Sequence, residues 1–238
     1  MKERGMIFNG EMVRAILNDR KTQTRRPVKF PHIDRDAMCE LSGNELAGEL
    51  LAGNYRNSPH GKPGDRIWVR ETWGVVSHEL DEDGRIQPWT PDRPATAIHE
   101  MPFGNGYYSG HAIYAADGEF TWGDDDGYED GRSCWKPSIH MPRAACRILL
   151  EITDVRVDRL NGISETDAEA EGIDMEALFN SQDCYDCIAD HNMTGRPTAT
   201  GAFKYLWESI YGEENWQANP WIWVIEFKVV PNVQDNPA

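Results

Sequence analysis

The sequence predicts an α+β domain built around a small, curled β-sheet or barrel. Strand-like segments occur in several short pieces, and two or three amphipathic helices lie between them. No internal repeat or linker-like segment marks off a second domain, so residues 1–238 are predicted to form one domain. The expected architecture is a small barrel with flanking helices and one long irregular insertion.

The N-terminal segment predicts a strand, a helix and a second strand. Residues 5–8 form a short apolar run that ends at a turn. A helix is expected over residues 10–19. Residues 22–28 alternate as a strand does, and Pro27 confines that strand to a sheet edge or a strand end. The predicted helix has one apolar face, formed by Met12, Val13, Ile16 and Leu17.

The middle of the chain is less regular. Residues 30–65 show no sustained period, and residues 66–73 predict a strand. From residue 74 to 142 the composition shifts to Gly, Asp, Pro and aromatic residues. We expect a long irregular insertion there, containing one strand at residues 111–115, because loops of this length are usually functional or mobile.

The C-terminal third predicts two helices between two strong strands, at residues 147–157 and 221–230. The sequence Ser-Glu-Thr-Asp at residues 164–167 is similar to a capping box and opens a short helix that stops at Gly172. A second helix ends at Gly212. Its apolar face is formed by Phe203, Leu206, Trp207 and Ile210.

Composition and charge exclude several classes of protein. The chain has 24 Lys and Arg against 40 Asp and Glu, a formal charge of −16, which disfavours strong non-specific binding to duplex DNA. No apolar run reaches the roughly 18 residues of a membrane span. The first residues are charged and lack the features of a secretory signal. The number of cysteines, five, is odd, which argues against a disulfide framework. We therefore expect a cytoplasmic protein with reduced thiols.

One basic segment stands out on this acidic chain. Residues 1–36 hold nine Lys or Arg against five Asp or Glu. Such a local basic site suits a small anionic or nucleotide-like ligand better than a long polyanion. The alternative is a solvated acidic surface with one basic patch by chance.

Four motifs follow one another in a characteristic order. Arg-Lys-Thr-Gln-Thr-Arg-Arg occupies residues 20–26 after the first helix, and Pro-Gly-Asp at residues 63–65 precedes a strand. Ala-Glu-Ala-Glu-Gly occupies residues 168–172, and Val-Ile-Glu-Phe-Lys occupies residues 224–228 of the last strand. This order resembles the ASCH domain family, which is related to PUA RNA-binding barrels. In more detail it is similar to bacterial N(4)-acetylcytidine amidohydrolases and to long ASCH proteins encoded by phages and prophages.

The resemblance covers residues 5–28, 63–73 and 143–230, and the insertion lies outside it. It implies a PUA-like barrel and an amidohydrolase that needs no metal and no cofactor. It also implies three catalytic residues. Lys21 would be the proton acceptor, Thr24 the nucleophile and Glu171 the proton donor.

These residue types suit amide hydrolysis, which requires a nucleophile, a base and an acid. Lysine is a poor base at its usual pKa of about 10.4, so the pKa of Lys21 must be lowered by neighbouring arginines and by burial. Lys21 is expected in the turn between helix and strand, with Thr24 on the strand. Asp167, one helical turn before Glu171, is expected to raise the pKa of Glu171. The structural alternative is a basic turn that closes the barrel and a solvated glutamate.

Further residues are candidates for binding a modified nucleoside or RNA. Basic side chains flank Lys21, two polar residues end the strand at 66–73, an aromatic ring follows them, and a Pro-bracketed segment adds a lysine and a histidine. These groups could contact phosphate or ribose, read a base edge, or stack on a base. The predicted substrate-binding residues are Arg20, Arg26, Arg70, Glu71, Trp73, Lys136 and His140.

Two alternatives stay open at the level of sequence. Cys184 and Cys187 have zinc-ligand spacing with His191 nearby, but two free cysteines are the favoured interpretation, since a second pair is missing. The acidic residues of 124–130 do not match calcium-loop spacing and indicate a solvated loop.

For function, the alternatives to the amidohydrolase are a non-catalytic RNA- or nucleotide-binding module of phage origin and a ribonuclease.

Overall fold

The computed structural model describes residues 1–77, 79–80, 82–83, 85–87, 89–122, 134–180 and 198–232. Within these residues the architecture is mixed α+β, with six helices and four sheets. The strands are β1 (Glu3–Ile7), β2 (Gln23–Pro27), β3 (His32–Ile33), β4 (Glu40–Leu41), β5 (Arg66–Arg70), β6 (Trp73–Val76), β7 (Glu79–Leu80), β8 (Ile86–Gln87), β9 (Thr96–Phe103), β10 (Gly106–Tyr114), β11 (Leu149–Arg159) and β12 (Trp221–Val230). The helices are α1 (Gly10–Leu17), α2 (Gly43–Leu51), α3 (Glu165–Ala170), α4 (Met175–Asn180), α5 (Ala199–Tyr211) and α6 (Glu213–Gln217).

The chain divides into two compact units. The first contains residues 1–2, 15–66 and 151–228, and the second contains residues 3–14, 67–150 and 229–238. Among the helices within the described ranges, none is both long and apolar enough to cross a bilayer.

The sheet of the first unit places β12 between β11 and β2. β12 and β2 pair antiparallel, with Ile225 opposite Thr24 and Glu226 opposite Gln23. β2 is an edge strand, as Pro27 predicts, because proline cannot donate to a further strand. This pairing fixes which residues of the basic motif face each side of the sheet.

Helices α3 and α5 pack together in the first unit. Both correspond to predicted helices, since α3 begins after Ser164 and α5 ends before Gly212. Ser164 caps α3 by accepting a hydrogen bond from the Asp167 amide, and Thr198 caps α5 in the same way. Gly212 ends α5 with a φ of 85°. Their shared core is formed by Leu160, Ala168, Ala199, Phe203, Trp207, Ile222 and Val224.

Residues 30–65 contain a helix that periodicity did not reveal. Ser42 and Glu45 form a reciprocal capping box at the start of α2. That Ser-x-x-Glu spacing was the available signal, and the helix buries only Gly43, Leu46 and Leu50. So short an apolar face gives a weak periodic pattern.

The strand expected at residues 111–115 overlaps β10, but the described part of residues 74–142 holds further strands, so the prediction of an irregular insertion is wrong there. The second unit holds a three-stranded antiparallel sheet in the order β6-β10-β9. β9 and β10 form a hairpin whose two-residue loop begins at Gly104, with a φ of 61°. The Gly104-Asn105 dipeptide was the missed signal, since such pairs between two strand-like segments mark tight hairpins. The buried core beside this sheet comprises Trp73, Ile98, Met101, Ala112, Tyr114, Met141, Ala145 and Cys146.

The strand predicted over residues 66–73 is two strands. β5 ends at Arg70 and β6 begins at Trp73. Between them the Thr72 carbonyl accepts a hydrogen bond from the Ala115 amide. The Glu71 side chain is buried there against Arg147, so a charged contact interrupts the strand.

Candidate functional site

Lys21 lies in the segment between α1 and β2, as predicted. Its amide donates to the Ala15 carbonyl at 3.0 Å, and the next amide, that of Thr22, donates to the Ala170 carbonyl at 2.9 Å. Lys21 also forms an isolated antiparallel bridge with Glu171. The backbone therefore brings the basic motif directly against the C-terminal end of α3.

The Lys21 side chain is buried, with 1% of its surface exposed. Its Nζ donates to Glu171 Oε2 at 2.6 Å and to the Glu171 carbonyl at 2.8 Å. Burial lowers the pKa of Lys21, opposed by the Glu171 carboxylate and reinforced by the charges of Arg26 and Arg25. The direction agrees with the shift that a lysine base requires.

Glu171 follows the last residue of α3 and is 4% exposed. Its Oε1 accepts a hydrogen bond from Arg25 Nη1 at 3.0 Å, so each carboxylate oxygen has one cationic donor. Glu169, two residues earlier, is exposed. The structure therefore selects Glu171 as the partner of Lys21.

Thr24 lies on β2, as predicted, and is fully buried. Its Oγ1 accepts a hydrogen bond from Arg26 Nη1 at 3.0 Å. Residues two apart share a face of a strand, so Thr24 and Arg26 lie on the opposite face from Gln23 and Arg25. Lys21 and Glu171 are brought together by hydrogen bonds, whereas Thr24 is bonded to Arg26.

Arg25, Gln23 and Asp167 form a connected group that sequence reasoning did not identify as part of the site. Arg25 Nη1 donates to Gln23 Oε1 at 3.0 Å, and Gln23 Nε2 donates to Asp167 Oδ1 at 2.9 Å. Arg25 Nη2 lies 3.3 Å from Asp167 Oδ2. The sequence signals for this group were the alternation of residues 23 and 25 and the position of Asp167 one helical turn before Glu171.

Asp167 has a different role from the one expected. Partial burial acts to raise the pKa of Asp167, but a hydrogen bond from Gln23 and the charges of Arg25 and Arg156 outweigh it and lower that pKa. Arg156 Nη2 donates to Asp167 Oδ1 at 3.1 Å and also pairs with Glu226. The Asp167 carboxylate therefore pairs with Arg25 and Arg156, whereas its spacing in the sequence suggested an effect on Glu171.

Gly172 allows the close approach of Lys21 to α1. It has a φ of 96°, and an added Cβ would lie 2.8 Å from Ala15 Cβ and 2.9 Å from Lys21 Cβ. Any larger residue would push the Lys21 segment away. Arg20, also predicted to bind substrate, donates to the Gly172 carbonyl at 3.2 Å and pairs with Asp174 at 3.1 Å.

The remaining predicted binding residues belong to the second unit. Glu71 is buried and receives two hydrogen bonds from Arg147, at 2.9 Å and 2.8 Å. Burial raises the pKa of Glu71, and the adjacent Arg147 opposes that rise. Arg147 also pairs with Asp117 at 2.7 Å. The prediction that Glu71 reads a base edge is therefore not supported, because its acceptors are engaged inside the protein.

Trp73 is fully buried against Phe103, so its ring presents no free face to a base. Lys136 pairs with Trp73 through two backbone hydrogen bonds. Its ammonium lies over three rings, 5.3 Å from the Tyr108 centroid and 6.0 Å from those of Phe103 and Trp73. Trp73 is thus a core residue, which argues against the predicted stacking, whereas Lys136 is half-buried and engaged with these rings.

Arg70 and His140 lie near the surface of the second unit. Arg70 donates to the Ile139 carbonyl, and its guanidinium lies 5.3 Å from the Trp68 ring centroid. His140 is exposed in a short 3-10 turn at residues 138–140. Both residues belong to the second unit, whereas Lys21 belongs to the first.

The zinc question concerns residues outside the described part of the chain, since Cys184, Cys187 and His191 all lie there. The acidic residues of 124–130 lie outside it as well. Within the described ranges, no group of three or more His, Cys, Asp or Glu side chains could hold a metal ion. Cys39 and Cys134 are exposed, whereas Cys146 is buried and its Sγ donates to the Ile148 carbonyl.

Comparison of the chain with protein-family models, with curated proteins and with solved structures finds no match.

Proposed function

We propose that the chain is an ASCH-type protein with a PUA-like barrel, and that it hydrolyses the acetyl amide of N(4)-acetylcytidine. The observation that supports the proposal is the buried pair of Lys21 and Glu171, joined at 2.6 Å. Burial lowers the pKa of the lysine, which is the property a lysine base needs. The proposed substrate is a modified nucleoside or RNA, and the proposed compartment is the cytoplasm.

The pair can exchange one proton over its short hydrogen bond. With the proton on Lys21, the pair is an ammonium and a carboxylate. With the proton on Glu171, Lys21 is a neutral amine that can accept a proton, and Glu171 is an acid that can donate one. The pair therefore supplies both the base and the acid without a change in its total charge.

The proposed reaction has two halves. Thr24 Oγ1 attacks the acetyl carbon and transfers its proton to the Lys21 amine. The bond from the carbon to N4 of cytosine then breaks, N4 takes a proton from Glu171, and an acetyl ester of Thr24 forms. Water attacks this ester and releases acetate, and its two hydrogens restore the Thr24 hydroxyl and supply the proton of acetic acid.

This reaction requires the Thr24 hydroxyl to come within hydrogen-bond reach of Lys21 when substrate binds. Catalytic hydrogen bonds often tighten only in the substrate complex. The Arg26 guanidinium on Oγ1, at 3.0 Å, favours the developing negative charge on that oxygen.

A second candidate is a non-catalytic module that binds RNA or a nucleotide. The observation that favours it is the bond from Arg26 to Thr24, on the strand face opposite Arg25. In such a module the buried ion pairs of Glu171 would only stabilise the fold.

A chromatographic assay tests both candidates. Purified protein is incubated with N(4)-acetylcytidine, and cytidine and acetate are quantified beside Lys21→Met, Thr24→Val and Glu171→Gln. Arg56→Gln, which removes a charge from an exposed ion pair, is the matched control. Turnover that is lost in the three variants and kept in the control supports the amidohydrolase. Saturable nucleoside binding without turnover, in folded wild-type protein, supports the binding module instead.

A further inference from the structure

The position of the Glu171 carboxylate depends on a second cationic partner besides Lys21. Glu171 lies at the C-terminal end of α3, where the helix dipole disfavours a negative charge. Lys21 Nζ occupies only one of its oxygens, Oε2. The other oxygen, Oε1, accepts from Arg25 Nη1 at 3.0 Å, so the carboxylate cannot rotate without losing a charged partner.

Arg25 is itself held from three sides. Its Nη1 also donates to Gln23 Oε1 at 3.0 Å, and its Nη2 lies 3.3 Å from Asp167 Oδ2. Gln23 closes the triangle by donating to Asp167 Oδ1 at 2.9 Å. The guanidinium carbon lies 5.6 Å from the centroid of the Phe203 ring, and Arg25 is buried. A planar guanidinium held in this way has little freedom to move.

We propose that Arg25 is a positioning residue that holds the Glu171 carboxylate on the Lys21 ammonium. Gln23 and Asp167 hold Arg25 in that place. The consequence for catalysis rests on the proposed function, since it requires that the pair of Lys21 and Glu171 exchanges protons with substrate. The positioning itself does not, and it can be measured without any substrate.

Several charged groups of the described residues face the cluster. Glu171, Arg25 and Arg26 act on Lys21 from α3 and β2. Asp167 faces Arg25 from α3, and Arg156 of β11 faces Asp167 from the outer side. Among the described residues, loss of Arg25 therefore leaves Glu171 with Lys21 as its one cationic partner.

The first arm of the experiment follows the Lys21 ammonium by 15N NMR at mildly acidic pH and measures the exchange of its protons with water. We expect Arg25→Met to speed that exchange about tenfold, toward the rate in Glu171→Gln, because a mobile carboxylate protects the ammonium less well. Asp167→Asn should give a smaller increase. An exchange rate equal to that of wild type would overturn the proposal.

Two controls separate positioning from general loss of stability. Arg56→Met removes an exposed guanidinium of the first unit, and Ile152→Val weakens its core at a β11 residue whose backbone bonds to Gly64 and Asp65. Both variants should keep the wild-type exchange rate of Lys21. If Ile152→Val speeds exchange as much as Arg25→Met at a matched melting temperature, the effect is global and the proposal is wrong.

The second arm measures hydrolysis of N(4)-acetylcytidine. We expect Arg25→Met to lower kcat about 10²-fold while KM changes little, since a misplaced catalytic group slows the chemical step. Arg25→Lys, which keeps a cation near Oε1, should recover part of kcat. Wild-type protein without turnover but with the exchange pattern of the first arm would refute the proposed function and leave the positioning role intact.

Discussion

The ammonium of Lys21 makes two hydrogen bonds to a single residue, at 2.6 Å to Glu171 Oε2 and at 2.8 Å to the Glu171 carbonyl. The two residues are 150 positions apart in the chain. One side chain thus both pairs a buried carboxylate and satisfies a backbone acceptor at the end of α3, where carbonyls lack helical partners.

Substitution of Glu171 tests the strength of this contact. Glu171→Gln keeps the shape but leaves the buried Lys21 ammonium without its carboxylate, and we expect a loss of about 3–5 kcal/mol in the free energy of unfolding. Because the Glu171 charge raises the pKa of Lys21, its removal should lower that pKa further. Denaturant unfolding and 15N titration measure the two effects. An unchanged unfolding free energy would show that the pair contributes nothing net.

The pH dependence of stability should carry the signature of Lys21. Its folded-state pKa lies below the ordinary value of 10.5. Between these two values the unfolded chain binds more protons at Lys21 than the folded protein does. The contribution of this group to the free energy of unfolding therefore rises with pH. Below the folded-state pKa the penalty for the buried charge is fully present. In Lys21→Met this rise should disappear, which is measured as the wild-type minus variant difference in denaturant unfolding across the alkaline range.

Gly172 offers a test of the close packing around Lys21. Gly172→Ala combines a left-handed backbone, costing about 1–2 kcal/mol for a residue with a Cβ, with overlap that costs about 1–3 kcal/mol more. Gly53→Ala is the matched control, since Gly53 also has a positive φ, of 80°, but nothing lies within 4 Å of its added Cβ. Thermal unfolding should show the larger loss at Gly172. Equal losses would mean that the Lys21 segment adjusts freely.

The second unit depends on a buried arginine. Arg147→Met leaves Glu71 and Asp117 without their cation, and we expect a loss of about 3–5 kcal/mol near neutral pH. Burial already raises the pKa of Glu71 above 4.5, and loss of the charge of Arg147 should raise it further. In Arg147→Met the free energy of unfolding then falls as pH rises through the folded-state pKa of Glu71. The variant should therefore regain stability toward acidic pH.

The matched control for that variant is Arg143→Met. Arg143 pairs with Glu3 at 3.0 Å, and both side chains are about a third exposed. An exposed pair contributes about 0–1 kcal/mol, so this variant should lose little stability at any pH. Equal losses in the two variants at neutral pH would argue against a special role for the buried cluster.

Local patterns were sufficient for the elements that carry their own signals. The bounds of β12 agree with its predicted residues, because a ten-residue run of aromatic and β-branched residues has few alternatives. Ser164 identified the start of α3, since an N-cap acts through a neighbouring amide. The hairpin of β9 and β10 was missed although it too is local, because its signal lay in two turn residues rather than in an apolar period.

In the candidate site, too, some placements follow from local sequence patterns and others depend on tertiary contacts. The sequence by itself determined that Lys21 follows a helix and that Thr24 lies on an edge strand, because these placements depend on periodicity and on Pro27. Only the tertiary structure decided that Glu171 and Arg25 meet, and that Glu71 pairs with Arg147. These pairs join residues 146 and 76 positions apart. Their contacts depend on strand register and burial, which no local pattern encodes.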